Sequence, residues 1–114
     1  MWQRSHALVL AIYHQTKDFP DTERFGLTSQ LRRAAVSVPT NLAEGTKRLG
    51  NQEYARFINI AEGSLAETEY LTMLSRDLGY LSPQGAASLL EEITEIARML
   101  NALRERVEEA VKGR

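Results

Sequence analysis

The sequence predicts an all-α protein, an antiparallel up-down-up-down four-helix bundle that forms a single domain over residues 1–114. Apolar residues recur at steps of three and four along most of the chain, which is the period of an α-helix. Short breaks that contain glycine or proline separate four such segments, and the last two segments are long. Long helices joined by short connections are typical of a helix bundle.

The first helix is predicted to run from Trp2 to Lys17. It ends there because Phe19 and Pro20 follow, and the residue before a proline avoids the α region. Its core side is expected to carry Leu8, Ala11, Ile12 and Tyr13, with Trp2 and Val9 nearby.

The second helix covers the stretch from Leu27 to Gly45, which has the most distinctive pattern in the chain. One face is apolar or small at Leu27, Leu31, Ala34, Val38, Leu42 and Gly45. A neighbouring face, the polar stripe, consists of Gln30, Arg33, Ser37, Asn41 and Glu44. Thr28 is the expected N-cap, since its hydroxyl can accept a hydrogen bond from a free backbone N–H of the first turn.

Pro39 lies inside this predicted helix, where a proline removes a backbone donor and crowds the carbonyl of Ala35, at a cost of roughly 3 kcal/mol. The helix can continue with a kink, or it can stop near Ser37 and restart with Ser37 as a new cap. The kink is favoured because the apolar spacing keeps its phase across the proline. The helix is expected to end after Arg48, with Gly50 as a left-handed cap.

The third helix is predicted from Gln52 to Leu78, a length of roughly 40 Å, with Asn51 as its N-cap. Its core face is expected at Phe57, Ile60, Ser64, Glu67, Leu71, Leu74 and Leu78. Gly63 lowers helix propensity by about 1 kcal/mol relative to alanine, which suggests that another backbone comes close to it. Gly79 is expected to close the helix.

The fourth helix has a strong start signal, with Ser82 as N-cap and Pro83 at the first helical position. Its core face is expected at Leu89, Ile93, Ile96, Leu100, Leu103 and Val107. These heptad-like steps are typical of helices that cross at about +20°. The last residues, 112–114, are expected to fray.

The segment from Phe19 to Gly45 reads F-P-x-x-E-x-F-G-L-T-x-Q-L-R-R-A-A-x-S-V-P-x-N-L-A-E-G. It resembles the signature of the four-helix bundle protein family, also called 23S rRNA-intervening-sequence proteins. Further matches to that family are Trp2-Gln3 at the start of the first helix, Ala61, Gly63-Ser64-Leu65 and Glu67 in its second block, and Leu78-Gly79-Tyr80-Leu81 at the turn between helices three and four.

This resemblance implies a four-helix protomer that often forms a ring-like homopentamer. Some members are encoded inside rRNA insertions, and others resemble the accessory protein of diversity-generating retroelements, a basic pentamer that works with a reverse transcriptase and RNA. For most members no activity is established. The net charge of −1 departs from the basic accessory type.

The polar residues within the predicted apolar faces give one candidate site. Glu67 cannot stay charged in an apolar face without a partner, because an isolated buried carboxylate is very costly. Arg33 is the best partner, since guanidinium binds carboxylates through two hydrogen bonds. The hypothesis is a polar network between helices two and three or across a subunit contact, and the alternative is that these groups face water. The candidate residues are Gln30, Arg33, Ser37, Asn41, Glu44, Ser64 and Glu67.

A nucleic-acid surface is the second candidate site. Residues 1–57 carry 8 Lys/Arg and 5 Asp/Glu, whereas residues 58–114 carry 6 and 10, so the first half is basic. Contacts between such a basic patch and phosphates would weaken steeply with salt. The alternative is an ordinary solvated face. The candidate residues are Arg24, Arg32, Lys47, Arg48 and Arg56.

Catalytic and metal-binding patterns are scarce in the sequence. It contains no GxSxG, no glycine-rich phosphate loop and no HExxH, and it has no cysteine for a disulfide or a thiolate metal site. His6 and His14 are too far apart to be ligands on adjacent turns and are interpreted as ordinary helix histidines. We therefore expect no catalytic residue, no metal and no cofactor.

The same composition bounds the setting of the protein. The lack of cysteine indicates a reducing cytoplasm, and no apolar run approaches the ~18 residues that span a membrane. No secretory signal is recognised at the N-terminus. The favoured function class is a non-enzymatic assembly or adaptor protein. Its expected partner is a second copy of itself, in a homo-oligomer that the resemblance makes a pentamer. A further protein is the other expected partner. The alternative is an accessory factor that binds RNA or DNA, and an unrecognised enzyme comes third.

Overall fold

The computed structural model describes residues 1–113, and the expected fraying of Arg114 lies outside them. The described residues form four α-helices and one short 3-10 turn. The helices are α1 (Trp2–Gln15), α2 (Leu27–Thr46), α3 (Asn51–Asp77) and α4 (Pro83–Lys112), and the 3-10 turn (Asp21–Glu23) precedes α2. The predicted all-α class is confirmed.

Each helix has two close neighbours: α1 and α3 both pack on α2 and α4, whereas within residues 1–113 the diagonal pairs have no Cα atoms within 8 Å of each other. Consecutive helices run in opposite directions: Gly45 near the end of α2, for example, lies against Phe57 near the start of α3. The outer pair α1 and α4 is also antiparallel, since Arg4 near the start of α1 bonds Glu92 in α4, while Gln15 at the end of α1 approaches Gly85 near the start of α4. The result is an elongated bundle with extents of 51 × 24 × 19 Å.

The core lies along the bundle axis and takes apolar side chains from all four helices. Its fully buried large members include Leu8, Ile12, Leu31, Val38, Ile58, Leu65, Ile93, Ile96 and Leu100. Burying one such side chain contributes about 1.5–3 kcal/mol. The face predicted for α4 is confirmed, with Leu103 partly buried and the other members buried.

Two helix ends follow the sequence signals. The Ser82 hydroxyl accepts a hydrogen bond from the backbone N–H of Gly85 at 3.0 Å, with Pro83 at the first helical position. At the end of α3, Gly79 has a φ of +83°, a conformation that glycine adopts without steric cost. The backbone N–H of Tyr80 bonds the Ser75 carbonyl at 2.9 Å, which completes a Schellman-type end.

The prediction that Thr28 caps the start of α2 is wrong. The helix begins at Leu27, and a carboxylate oxygen of Glu23 accepts the Leu27 N–H at 3.1 Å. The 3-10 turn brings Glu23 back onto the helix start, so Thr28 is not needed as a cap. The Thr28 hydroxyl is instead buried without a hydrogen-bond partner among the described residues.

Helix α2 continues through Pro39, so the predicted alternative of a break and restart at Ser37 is not observed. Side chains after the proline donate to carbonyls one turn earlier. The Thr40 hydroxyl bonds the Val36 carbonyl, and the Asn41 amide bonds the Ser37 carbonyl, both at 2.8 Å.

The ends around the α2–α3 connection differ from the prediction. The second helix ends at Thr46, two residues before the predicted end at Arg48. Gly50 does have positive φ, at +85°, but it flanks the start of α3 instead of closing α2. Asn51 is the first residue of α3 and not its cap.

The core face predicted for α3 is wrong in several positions, because the helix is rotated about its axis relative to that prediction. Ile60, Glu67 and Leu78 are exposed and Leu74 and Ser64 are half-buried. The buried face consists of Ala55, Phe57, Ile58, Ala61, Leu65, Thr68, Leu71, Thr72 and Ser75.

Hydroxyl groups on this buried face of α3 are satisfied by their own helix. Thr68, Thr72 and Ser75 donate to carbonyls four residues earlier at 2.7–2.8 Å. Their burial therefore leaves no unpaired hydroxyl. Gly63 is exposed, and a Cβ at this position would meet nothing within 4 Å, so the expected close approach of another backbone is absent from the described chain.

Candidate interaction surfaces

Three of the predicted site residues meet between α2 and α3. The hydroxyl oxygens of Ser37 and Ser64 are 2.8 Å apart. The Asn41 amide donates to the Ser37 hydroxyl at 3.0 Å as well as to the Ser37 carbonyl. All three side chains are half-buried, so this small polar group joins the two helices at the edge of the core.

The other members of the predicted network lie apart. Gln30, Arg33, Glu44 and Glu67 are exposed. The expected ion pair of Arg33 with Glu67 does not form within the described chain, because Glu67 lies on the solvent side of α3 and has no need of a buried partner. Glu44 approaches Arg48 at 4.0 Å. The prediction of one network inside a protomer is therefore wrong beyond Ser37, Asn41 and Ser64.

These exposed residues belong to one continuous surface, here called the α2–α3 face. It combines the polar stripe of α2 with a stripe on α3 at steps of three and four. The α3 stripe consists of Ile60, Gly63, Glu67, Tyr70, Leu74 and Leu78. Tyr70 is 61% exposed and Leu78 is 50% exposed, so both large side chains lie outside the bundle core.

A second exposed stripe runs along α1 and was not predicted. The α1 stripe consists of Trp2, His6, Leu10 and Tyr13, again at helical spacing, and Leu10 is 58% exposed. The Trp2 and His6 rings are stacked with centroids 5.0 Å apart. The Tyr13 ring lies under the guanidinium of Arg32, 4.5 Å from its centroid.

The assignment of Trp2 and Tyr13 to the core side of α1 is therefore wrong. Ser5 and Thr16 take the buried positions next to Leu8 and Ile12. The Ser5 hydroxyl donates to the Trp2 carbonyl at 2.9 Å, and the Thr16 hydroxyl donates to the Ile12 carbonyl at 2.8 Å. A spacing of Ser5, Leu8, Ile12 and Thr16 at steps of three and four was the signal in the sequence.

The five predicted nucleic-acid residues do not form one patch. Arg24 precedes α2, and Lys47 follows it, so the 20 residues of α2, roughly 30 Å, separate the two. Arg24 stacks on the exposed Phe25 ring. Arg32 is half-buried, and its Nε donates to the Thr16 hydroxyl at 2.9 Å. These two arginines are therefore not part of a patch with Lys47.

The remaining cations lie together at the α2–α3 turn, here called the basic turn (Lys47, Arg48 and Arg56). The guanidinium groups of Arg48 and Arg56 lie 4.9 and 4.8 Å from the centroid of the Phe57 ring. Arg56 also donates two hydrogen bonds to Glu53, and this contact lowers the pKa of the Glu53 carboxyl. Carboxylates next to both arginines make the net charge of the turn small.

The described residues contain no group of three or more His, Asp or Glu side chains that could hold a metal ion. A groove of about 520 Å³ lies between the start of α3 and the end of α4. Arg104 lines it and forms ion pairs with Glu62 and Glu108. None of the helices in residues 1–113 is apolar over enough of its length to cross a membrane.

The fold and these surfaces define a small all-α protein of the four-helix bundle class. Residues 1–102 match the family model described as 23S rRNA-intervening sequence protein, and the chain belongs to that family. The resemblance seen in the Phe19–Gly45 segment is thereby confirmed.

A solved structure supports the fold. It is the crystal structure of a protein of unknown function from the S23 ribosomal protein family of Bacteroides thetaiotaomicron, which superposes with a TM-score of 0.81 at 22% sequence identity. The match covers 90% of this chain and 96% of that one. Among curated proteins, none has significant sequence similarity to this chain.

Proposed function

We propose that this protein is a non-enzymatic, cytoplasmic adaptor that acts as a homo-oligomer, with the α2–α3 face as its self-association surface. The observation that carries this proposal is the composition of that face. Exposed apolar side chains alternate on it with a bare glycine and with charged groups. Aromatic side chains such as the exposed Tyr70 are enriched at protein interfaces relative to the rest of the surface.

The size of the α2–α3 face is compatible with a stable contact. Helices α2 and α3, about 30 and about 40 Å long and each about 10 Å wide, present on the order of 700 Å² per partner. A standard interface buries about 800 Å² per partner. The apolar part of the face is worth about 25 cal/mol per Å² removed from water. The resemblance to ring-forming members makes a pentamer the expected assembly.

The experiment compares two tryptophan variants by native mass spectrometry. Gly63→Trp places a bulky side chain on the α2–α3 face, whereas Ala102→Trp places the same group at an exposed position of α4. We expect Gly63→Trp to dissociate the wild-type oligomer and Ala102→Trp to leave it intact. If the Gly63→Trp variant still forms the oligomer, the α2–α3 face is not the self-association surface.

The basic turn supports a second candidate function, an accessory factor for RNA or DNA. Lys47, Arg48 and Arg56 project from one end of each protomer, next to the nearly fully exposed Leu49, and a ring would repeat them in every subunit. Binding of a short structured RNA should fall steeply between about 50 and about 200 mM salt. The double variant Lys47→Glu/Arg48→Glu should abolish it, with Arg98→Glu/Arg106→Glu at exposed positions of α4 as the charge-matched control. Equal RNA binding by the wild type, the double variant and the control would show that the basic turn is not the RNA-binding site.

A further inference from the structure

We infer that the α1 stripe of one protomer docks on the α2–α3 face of the next, so that the contact joins two different surfaces. This inference rests on the proposed self-association and adds the partner surface. Its first support is position, because α1 and α3 are diagonal helices with no Cα atoms within 8 Å of each other in the described chain. The two exposed stripes therefore lie on different sides of the bundle.

The symmetry of the assembly depends on whether the contact joins like or unlike surfaces. A twofold dimer pairs a surface with its own copy, so it would cover one stripe and leave the other in water. A head-to-tail contact covers both stripes with a single kind of interface. Repetition of that contact leads to a closed ring when the rotation closes.

Charge complementarity indicates which surface of the next protomer contacts the α1 stripe. The residues of α1 include no Asp or Glu, its one charged side chain is Arg4, which also pairs with Glu92 of α4, and Lys17 lies just beyond its end. Helix α3 carries five acidic residues and two basic ones, and Glu67 and Glu69 are exposed beside the α3 stripe. Pairing α1 with α1 would bring cations together, whereas pairing α1 with α3 brings opposite charges together.

The shapes of the two stripes are also complementary. Gly63 leaves a gap in the α3 stripe, with Ile60 and Glu67 about one turn away on either side and nothing within 4 Å of its missing Cβ. A large side chain of the α1 stripe, such as Leu10, can enter a gap of that kind. The Trp2 ring is already held by its stack on His6, so its immobilisation on binding costs less entropy.

The test is a complementation experiment with two lysine variants, Leu10→Lys in α1 and Tyr70→Lys in α3. Both positions are exposed, so the protomer fold is kept, and circular dichroism checks the helix content. Ala87→Lys, at an exposed position of α4, is the control. Native mass spectrometry separates the variants by mass.

We expect each variant alone to be a monomer, and Ala87→Lys to assemble like the wild type. An equimolar mixture of Leu10→Lys and Tyr70→Lys should give a heterodimer that grows no further, because each variant supplies the one intact surface that the other lacks. Trp2→Glu should replace Leu10→Lys in this mixture with the same result.

Two other outcomes would overturn the inference and leave the proposed self-association standing. In one, Leu10→Lys still assembles fully, which excludes the α1 stripe. In the other, both variants are monomers but their mixture gives no heterodimer, which indicates contacts between like surfaces. A wild-type protein that is itself monomeric would instead contradict the proposed function.

Discussion

Ser37 of α2 and Ser64 of α3 face each other with their hydroxyl oxygens 2.8 Å apart, at the edge between the core and the α2–α3 face. The Ser37 hydroxyl oxygen also accepts a hydrogen bond from the Asn41 side-chain amide. The serine pair thereby fixes the relative position of the two helices that build the proposed self-association surface.

Removing one hydroxyl of this pair should destabilise the protomer modestly. Ser37→Ala should lower the free energy of unfolding by about 1 kcal/mol, the typical net contribution of one hydrogen bond. The double variant Ser37→Ala/Ser64→Ala should lose less than the sum of the two single losses, because the second change removes a group that has already lost its partner. Urea unfolding of the four proteins measures the coupling, and strictly additive losses would show that the hydroxyls do not interact.

The two glycines Gly45 and Gly63 should respond oppositely to alanine. A Cβ on Gly45 would lie 2.9 Å from the Phe57 Cβ and 3.0 Å from a ring carbon of Tyr54, so Gly45→Ala should cost about 1–3 kcal/mol through overpacking. Gly63→Ala should gain up to about 1 kcal/mol from helix propensity. Thermal unfolding in the Tyr70→Lys background avoids effects of assembly. Stabilisation by Gly45→Ala would show that α2 and α3 are less closely packed than described.

Thr28 is a site where a more apolar residue should stabilise the protein. Its hydroxyl is buried without a partner among the described residues, and leaving such a group unpaired costs about 1–3 kcal/mol. Thr28→Val removes the hydroxyl with little change of shape and should raise the free energy of unfolding by about 1 kcal/mol. Thr72→Val is the matched control, since the Thr72 hydroxyl is buried but donates to the Thr68 carbonyl at 2.8 Å. Equal effects of the two variants would indicate that Thr28 also has a partner.

Tyr80 should make stability fall at alkaline pH. Burial, together with a 3.2 Å hydrogen bond to Glu23, raises the pKa of Tyr80 above the ordinary value of 10.0. The folded protein therefore keeps this proton at pH values where the unfolded chain has lost it. The contribution is complete below pH 10 and is lost as the pH rises through the folded pKa.

The comparison of wild type with Tyr80→Phe isolates this contribution of Tyr80. The difference in unfolding free energy between the two proteins should become less favourable to wild type above pH 10 and stay constant below it. A difference that does not change with pH would place the Tyr80 hydroxyl in water.

The sequence allowed the helices to be predicted because their signals are local. The Ser82-Pro83 start, the Gly79 end and the apolar steps of α4 depend on neighbours in the chain alone. The face of α3 could not be predicted in the same way. Thr68, Thr72 and Ser75 count as polar in a periodicity argument, yet each satisfies its own hydroxyl and is buried.

The surfaces were harder to predict than the fold for a related reason. Trp2 and Tyr13 are apolar enough for a core, but the side of α1 that carries Ser5 and Thr16 is the buried one, which leaves them exposed. The five candidate cations are close in the sequence, but α2 is a rigid spacer between Arg24 and Lys47. Three of the seven polar candidates, Ser37, Asn41 and Ser64, do come together.

Sedimentation velocity of the wild-type protein over a wide range of concentration measures whether the protein associates with itself. We expect one assembled species whose mass is a whole multiple of the protomer mass, with five copies expected from the family resemblance. A species of one protomer mass at every concentration would show that the protein does not self-associate.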